Sequence, residues 1–400
     1  MHIKLAHAAI ALIAFTSAPA LAAPANVAAP ACPAAGAWVA PTGAGSADRG
    51  PARVFDELAG SPVVLLGERH DNAEHHRWQL HTIAGLHARQ PNLVLAFEMF
   101  PRSVQPVLDQ WTGGELTEAQ LLERTRWTQV WGHDPQLYLP IFHFARMHRV
   151  PMLALNVDRR LVRRVGEQGW DAVPAAEREG VGDPAPPSAD YLASLYQAWR
   201  GHQPPAQRPR GEPTEADLRD PAFLRFVQSM QLWDRAMAEA IAQSRSRNPA
   251  ATVVAIMGSG HLRDGHGVPY QLGALGVLDA VVALPWDTDE DCDELKPGVT
   301  DLAFGVTPVA EPATERPRLG VRLDESADGV IIIEVVPDSV AQAAGIRPGD
   351  RVTTIAGLPV RKVDDVLAAV GRQAPGTWLP LTVDRAGHAT DLVARFPPRP

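Results

Sequence analysis

Lysine is nearly absent from this sequence of 400 residues, and positive charge is nowhere concentrated. The three lysines are Lys4, Lys296 and Lys362, and the net charge is −9 with no long basic run. Proteins that bind nucleic acid or an anionic membrane surface need a dense positive patch, so the composition argues against both as the main partner. We expect a small molecule or another protein instead.

Cysteine is equally scarce, with only Cys32 and Cys292. In an oxidising compartment the two cysteines can pair, and as free thiols they would stay separate. A third alternative is that Cys32 carries a lipid, although Ala29-Pro30-Ala31 before it lacks the aliphatic residue usual at such a site. The sequence leaves all three states open.

Long hydrophobic runs are missing as well. The N-terminal MHIKLAHAAIALIAFTSAPALA holds an apolar stretch well below the ~20 residues of a membrane-spanning helix, and it ends in the small-residue pattern Ala20-Leu21-Ala22. Residues 1–22 therefore predict a signal peptide and export to the periplasm or the outer membrane. Residues 23–51, rich in Ala, Pro and Gly, are expected to be disordered.

From residue 52 to 308, apolar runs alternate with helical patterns, which is typical of an α/β domain with a mostly parallel sheet and flanking helices. The pattern breaks over about 171–221, where Pro-rich stretches flank an aromatic helix and predict a small helical insertion. A Pro-rich and Glu-rich linker is expected at 309–317. The strand-like runs are Val63–Leu66, Leu93–Phe97, Val150–Leu155, Thr252–Met257, Leu278–Leu284 and Leu302–Val306.

Residues 318–397 change to short β runs, with Leu319-Gly320-Val321, VPDSVA leading to AGI, and PGDRV before IAG. This pattern resembles a PDZ domain of the bacterial, protease-associated type. The resemblance predicts a β-rich domain that binds a partner peptide or protein C-terminus. Leu319, Gly320 and Val321 would offer backbone N–H groups to the peptide carboxylate beside an open strand edge.

Polar side chains end four of the apolar runs. Glu68 and His70 follow the first, Glu98 the second, Asn156 the third and His261 the fourth, and both histidines belong to Gly-x-x-His motifs. Ligands of open α/β sheets bind outside the carboxyl ends of the strands. We therefore expect these five side chains to share one pocket.

Two helices add polar residues to this cluster. Helical spacing places His76 and Gln79 on a buried stripe and turns the neighbouring His75 towards solvent or the rim. Asp234 lies on an apolar stripe with Gln231 one turn before it, and a buried carboxylate requires a partner or a ligand.

The motifs GERHDN, FEMF, ALNVDRR, QLWD and GSGHLRDGHGVPYQL resemble the ChaN-like haem-binding lipoproteins. They also resemble the wider group that includes TIKI/TraB proteins and erythromycin esterases. The first resemblance implies an exported haem-binding protein in haem or iron uptake, with haem held at a homodimer contact by a tyrosine phenolate. Arginine would have to bind the propionates, because lysine is scarce. The tyrosines Tyr138 and Tyr191 are the candidate ligands, and the other candidate cofactor-binding residues are His76, Gln79, Asn156, Gln231 and Asp234.

The second resemblance implies a peptidase-type or esterase-type hydrolase. His70, His261 and Glu98 would hold a divalent metal such as zinc, or Glu68, His70, Glu98 and His261 would activate water by acid/base chemistry. The acidic stretch from Asp287 to Glu294 lacks the turn glycine of a calcium loop and is expected to be a solvated loop.

Overall fold

The computed structural model describes residues 32–42, 45–203, 213–308, 317–326 and 329–398. The chain divides into two compact units, Met1–Pro308 and Val309–Pro400. The expected signal peptide and most of the expected linker lie outside the described residues. Among the residues that are described, no helix combines the length and hydropathy needed to cross a membrane.

The first unit alternates strands and helices. Its strands are β1 Trp38–Thr42, β2 Gly45–Arg49, β3 Val63–Glu68, β4 Leu93–Pro101, β5 Met152–Asn156, β6 Thr252–Gly258, β7 Ala280–Asp287 and β8 Leu302–Val306. Its helices are α1 Pro51–Gly60, α2 Ala73–His87, α3 Gln105–Gly113, α4 Glu118–Arg124, α5 Trp127–Val130, α6 Leu139–His148, α7 Arg159–Gln168, α8 Ala189–His202, α9 Glu215–Leu218, α10 Pro221–Arg247 and α11 Val268–Ala274.

The described strands of this unit form one sheet in the order β2-β1-β8-β7-β3-β6-β4-β5. The six strands from β8 to β5 are parallel to one another, and β1 and β2 are antiparallel additions at one edge. Every residue of β3, β4 and β6 is buried. Parallel strands covered by helices on both faces need such continuous apolar runs, and the predicted α/β sheet is confirmed.

Two hydrophobic clusters cover the two faces of the sheet. In β3, Val64 and Leu66 belong to one cluster, while Val63 and Leu65 belong to the other. Successive side chains of a strand point to opposite faces of the sheet. Glu68, the last residue of the strand, therefore points to the same face as Val64 and Leu66.

Residues 38–42 and 45–49 correct the expectation of disorder over 23–51. They form the antiparallel strand pair β1–β2, and β1 extends the sheet by pairing with β8. Trp38 is 1% exposed and packs on Phe55, Trp78 and Phe304 with ring centroids 5.0–6.4 Å apart. One large aromatic side chain and an open sheet edge provide the burial that the surrounding small residues lack. Residues 23–31 lie outside the described part of the chain.

The cysteines are paired. Cys32 and Cys292 form a disulfide with their Cα atoms 5.1 Å apart, which joins the segment before β1 to the loop after β7. A sulfur atom in a disulfide cannot carry a lipid as well, so this structure selects the paired state among the three alternatives.

The helical insertion contains α8 and α9, with residues 204–212 outside the described range. Tyr191 and Tyr196 of α8 pack against Phe223 and Val227 of the long helix α10 in a small separate core. The insertion is thereby anchored to the helix that also carries Asp234.

The second unit is β-rich. Its elements are β9 Val321–Ser326, β10 Gly329–Val335, α12 Val340–Ala343, β11 Arg351–Ile355, β12 Leu358–Pro359, α13 Val363–Gly371, β13 Trp378–Arg385 and β14 His388–Arg395. Its described strands form an antiparallel sheet in the order β14-β13-β11-β10-β9, with β12 paired to β11. This arrangement agrees with the predicted PDZ domain.

Candidate functional site

A cleft of about 180 Å³ lies at the carboxyl ends of the central strands of the first unit. Four residues that the sequence predicts for one pocket line it together: His70, Glu98, Asn156 and His261. The fifth, Glu68, lies directly behind His70, to which it is hydrogen-bonded. The structure therefore brings these five side chains together. The remaining residues that line the cleft are Met99, Pro101, Val130, Trp131, His133, Val157, Arg159 and Trp233.

Glu68 is a buried carboxylate with three partners. Its Oε1 accepts hydrogen bonds from the Tyr138 hydroxyl and from His70 Nδ1, each at 2.9 Å. His76 Nδ1 lies 3.1 Å from its Oε2. Burial alone would raise the pKa of Glu68, but the hydrogen bonds with His70 and His76 outweigh it and lower this pKa to about 2. Glu68 is therefore ionised at any physiological pH.

His70 places its ring at the wall of the cleft. Its side chain is 33% exposed, and its Nδ1 donates to Glu68. The ring contacts Trp131 edge-on, with centroids 4.7 Å apart, and lies 5.2 Å from the His133 ring. Burial lowers the pKa of His70, but Glu68 and Glu98 outweigh this effect and raise it above its ordinary value.

Glu98 faces His70 and His261 from β4. Its Oε2 accepts a hydrogen bond of 2.7 Å from the backbone N–H of Gly258, and its Oε1 lies 3.5 Å from His261 Nε2. Burial raises the pKa of Glu98, but the attraction of His261 and His70 outweighs it, and the pKa is lowered. Gly258 has a steric role too, because a Cβ atom there would lie 2.9 Å from His70 Cε1.

His261 is a buried imidazolium between two carboxylates. Its Nδ1 donates to Asp234 Oδ1 at 2.6 Å, while Nε2 faces Glu98. Burial lowers the pKa of His261, yet Glu98 and Asp234 raise it to about 10. Asp234 Oδ2 accepts a further hydrogen bond of 2.5 Å from the Tyr191 hydroxyl. The partner that Asp234 requires is therefore His261, supported by Tyr191.

The two Gly-x-x-His motifs are thus built alike. In each, histidine Nδ1 donates to a buried carboxylate, and that carboxylate accepts a hydrogen bond from a buried tyrosine hydroxyl. The relays are Tyr138–Glu68–His70 and Tyr191–Asp234–His261. Such carboxylate–histidine pairs fix the tautomer and the orientation of the imidazole.

The candidate iron ligands Tyr138 and Tyr191 have other roles in this structure. They are 0% and 5% exposed, and both hydroxyls are occupied as donors to carboxylates. Burial raises the pKa of each hydroxyl above its ordinary value, and the neighbouring carboxylate adds to the rise. A phenolate at either position would lie against a negative charge, so neither oxygen is open to iron in this arrangement.

The other predicted cofactor-binding residues have mainly structural contacts. Gln79 donates to the Gly67 carbonyl at 3.1 Å and accepts from His76 Nδ1 at 3.2 Å. Asn156 lines the cleft and also stabilises β4, because its side chain donates to the Glu98 carbonyl. Gln231 donates to the Ala185 carbonyl in the helical insertion and does not line the cleft.

His75 corrects the helix-face prediction, because it is 2% exposed. Its Nδ1 accepts from the backbone N–H of Arg69 at 2.9 Å, and its Nε2 lies 3.2 Å from Asp287 Oδ1. Asp287, expected to begin a solvated loop, is 1% exposed and also pairs with Arg69 at 3.1 Å. His75 and His76 are adjacent in α2 and both buried, so they need partners on different sides of the helix. Asp287, at the end of a strand distant in sequence, is the partner of His75.

Sequence reasoning also missed four aromatic or basic residues that line the cleft: Trp131, His133, Arg159 and Trp233. Trp131 and His133 lie between α5 and α6 and contact the His70 ring. No periodic pattern marks such a connection, and only the aromatic content of TQVWGHD could have drawn attention to it.

The predicted metal set of His70, His261 and Glu98 is not supported. No group of three or more His, Cys, Asp or Glu side chains within the described ranges is placed to hold a metal ion. Both ring nitrogens of His261 already face carboxylates, since Nδ1 donates to Asp234 at 2.6 Å and Nε2 lies 3.5 Å from Glu98 Oε1.

Comparison with known proteins decides the family. The sequence model of the family described as "Haem-binding uptake, Tiki superfamily, ChaN" matches residues 54–272, more than half of the chain. This chain belongs to the ChaN family. A PDZ domain model matches residues 317–394. The predicted resemblances to the ChaN-like proteins and to PDZ domains are therefore confirmed.

The ChaN fold is also visible among solved structures. ChaN of Campylobacter jejuni, described as binding haem cofacially, superposes with a TM-score of 0.50 over 67% of this chain and 95% of that chain. The two sequences are 18% identical, so this likeness shows the fold alone.

Curated relatives cover only short parts of this ChaN-family chain. A protein of Agrobacterium fabrum named as a zinc metalloprotease is 42% identical over 62 residues, which is 16% of either chain. The magnetosome formation protease MamE of Magnetospirillum gryphiswaldense is 30% identical over 92 residues, 23% of this chain and 11% of that protein. The chain spans less than a fifth of the length of both relatives.

In the PDZ unit, the predicted peptide-binding segment lies just before and at the start of β9. Leu319 is 4% exposed, and its carbonyl accepts from the Ala341 N–H. Gly320 has φ of +80°, and a Cβ atom there would lie 2.3 Å from Ser339 Cβ. Only glycine therefore fits this turn. β9 is the last strand at its side of the described sheet.

Proposed function

We propose that this protein is an exported haem-binding protein of the cell envelope that serves haem or iron uptake, and that its PDZ unit binds a partner C-terminus. Membership of the ChaN family supports haem as the ligand. The signal-like N-terminus of the sequence supports export.

Haem binds on the surface of the first unit rather than inside the cleft. Pockets that enclose a ligand of drug size measure about 300–1,000 Å³, whereas the cleft measures about 180 Å³. A porphyrin held at the surface is shielded from water when a second copy covers it, which supports the homodimer implied by the resemblance.

Tyr270 is the tyrosine that suits iron, and its exposure is the observation that carries this assignment. All four tyrosines of the sequence are described; Tyr138, Tyr191 and Tyr196 are at most 5% exposed, whereas Tyr270 is 42% exposed. It lies on α11, which follows Gly267, where a Cβ atom would lie 2.5 Å from the His261 carbonyl oxygen. A phenolate is a hard, anionic ligand suited to ferric haem.

A hemin titration tests this assignment. The wild-type protein should show the charge-transfer absorption of tyrosinate-bound ferric haem, and Tyr270→Phe should abolish it. Tyr138→Phe and Tyr191→Phe are matched controls that should keep the band. An unchanged spectrum in Tyr270→Phe would refute the assignment, and absence of hemin binding by the wild-type protein would refute the proposed function.

Acid/base hydrolysis is a second candidate function, favoured by the Glu68–His70 pair. His70 Nδ1 is held by an ionised carboxylate, and its ring lines a cleft that also holds Glu98 and His261. An imidazole oriented in this way can take a proton from water. Hydrolysis of a panel of aryl esters and peptides should then be lost in His70→Gln and kept in the surface variant His143→Gln. If the wild-type protein hydrolyses none of them, this candidate fails.

The PDZ unit supports the partner-binding part of the proposal through its open strand edge. The turn at Gly320 holds the backbone next to β9, where an added peptide strand can pair. A free carboxylate at the end of that peptide would meet the backbone N–H groups of Leu319, Gly320 and Val321.

A further inference from the structure

β9 and α13 lie next to each other in the PDZ unit. β9 pairs with β10 on one side, and within the described sheet no strand follows it on the other. The following inference rests on the proposed binding of a C-terminus at Leu319-Gly320-Val321. Because that segment is at the amino end of β9, a bound peptide must run antiparallel to β9, with its earlier residues towards the carboxyl end of the strand.

Glu325 shows which face of β9 is turned towards α13. Its carboxylate accepts a hydrogen bond of 2.7 Å from the backbone N–H of Val363, the first residue of α13. Alternate side chains of a strand share a face, so Val321 and Leu323 lie on the same side as Glu325. Both pack against the hydrophobic core of the unit. On α13, Leu367 is one turn beyond Val363 and is 59% exposed.

The carboxyl end of β9 is acidic where it meets α13. Asp364 and Asp365 lie in the first turn of α13, close to Glu325. Of the nearby cations, Lys362 is paired, with its Nζ 3.8 Å from Asp364 Oδ2. Asp365 accepts hydrogen bonds from the backbone N–H groups of Arg361 and Lys362. A bound strand therefore passes from an aliphatic surface at Val321 and Leu323 to a carboxylate at Glu325.

Val321 and Leu323 suit aliphatic side chains at the last and third-last positions of the peptide. We propose that this PDZ unit in addition selects Lys or Arg at the fifth-last position, and that Glu325 binds this cation. The alternation of the added strand sets the spacing, since its last, third-last and fifth-last side chains lie opposite Val321, Leu323 and Glu325. An exposed charge pair contributes modestly. We therefore expect about a two- to fivefold preference at low salt.

Fluorescence anisotropy with labelled peptides and the full-length chain tests this proposal. The reference peptide ends in Lys-Ser-Val-Ser-Val, and the comparison peptides replace its Lys by Glu, replace its third-last Val by Asp, or carry a C-terminal amide. Glu325→Lys should reverse the Lys/Glu preference. Asp324→Lys is the matched control, because Asp324 is adjacent in sequence, undergoes the same reversal of charge and faces the other side of the strand.

The outcomes separate the two proposals. If no peptide binds, or if the amide binds as well as the free acid, then the proposed capture of a C-terminus is wrong. If free C-termini bind but the Lys and Glu peptides bind equally to the wild-type protein, then the assignment of Glu325 is wrong. The assignment also fails if Asp324→Lys shifts the Lys/Glu preference as much as Glu325→Lys does.

Discussion

Replacement of Asp234 by Asn should destabilise the first unit and flatten its pH dependence. Asp234 is 0% exposed and bonds to His261 Nδ1 and to the Tyr191 hydroxyl. Asn keeps the shape but removes the charge, which leaves His261 with Glu98 alone at 3.5 Å. Removal of one partner from a buried ion pair costs about 3–5 kcal/mol, and we expect a loss of this order at pH 7.

The pH dependence follows from the pKa of His261, which rises from 6.5 to about 10 in the folded protein. The folded state thus holds a proton that the unfolded state releases above pH 6.5. The stabilisation is fully present below pH 6.5 and is lost as the pH rises through 10. The free energy of unfolding should fall by up to about 1.4 kcal/mol per pH unit between pH 7.5 and 9.5.

Urea unfolding at several pH values between 6 and 10, followed by tryptophan fluorescence, measures both effects. All tryptophans except Trp378 lie in the first unit, so the signal reports mainly on this unit. Asp264→Asn is the matched control, since Asp264 is exposed and its φ of 60° is tolerated by Asn. The same series in a His70→Gln background separates the contribution of His70 to the pH dependence from that of His261. The reasoning is refuted if wild-type stability is flat between pH 7.5 and 9.5, or if Asp234→Asn keeps the wild-type slope.

Three further changes test the fold and the cleft. Gly258→Ala places a Cβ atom 2.9 Å from His70 Cε1. It should therefore lower the free energy of unfolding by about 1–3 kcal/mol and shift the His70 ring resonances in NMR spectra. Gly260→Ala is the control, because its Cβ atom meets nothing within 4 Å, and it should have neither effect. Trp38→Ala should cost about 3–5 kcal/mol in urea unfolding, and a smaller loss than 1 kcal/mol would mean that β1 contributes little to the core. Reduction of the disulfide, or Cys292→Ser, should lower the melting temperature of the first unit by removing a constraint worth about 2–5 kcal/mol; equal melting temperatures with and without reductant would contradict this pairing.

The apolar runs and their polar ends were sufficient to predict the sheet and the cleft. Strands buried on both faces require continuous hydrophobic sequence, and parallel strands bring their carboxyl ends to one edge. Glu68, His70, Glu98 and His261 therefore had to approach one another once the runs were read as parallel strands. The PDZ motifs are equally local, because each turn depends on a glycine or proline at a fixed position.

The partners of the buried groups were decided by the tertiary structure alone. Tyr138 bonds to Glu68 across 70 positions of sequence, and His75 bonds to Asp287 across 212; no local pattern determines such pairs. The same holds for Trp38, whose burial depends on Phe304 at the far end of the unit. Sequence periodicity shows which side chains are buried, but only the packed chain determines which donor meets which acceptor. For this reason the sequence alone could not show that Tyr138 and Tyr191 donate to carboxylates while Tyr270 stays exposed.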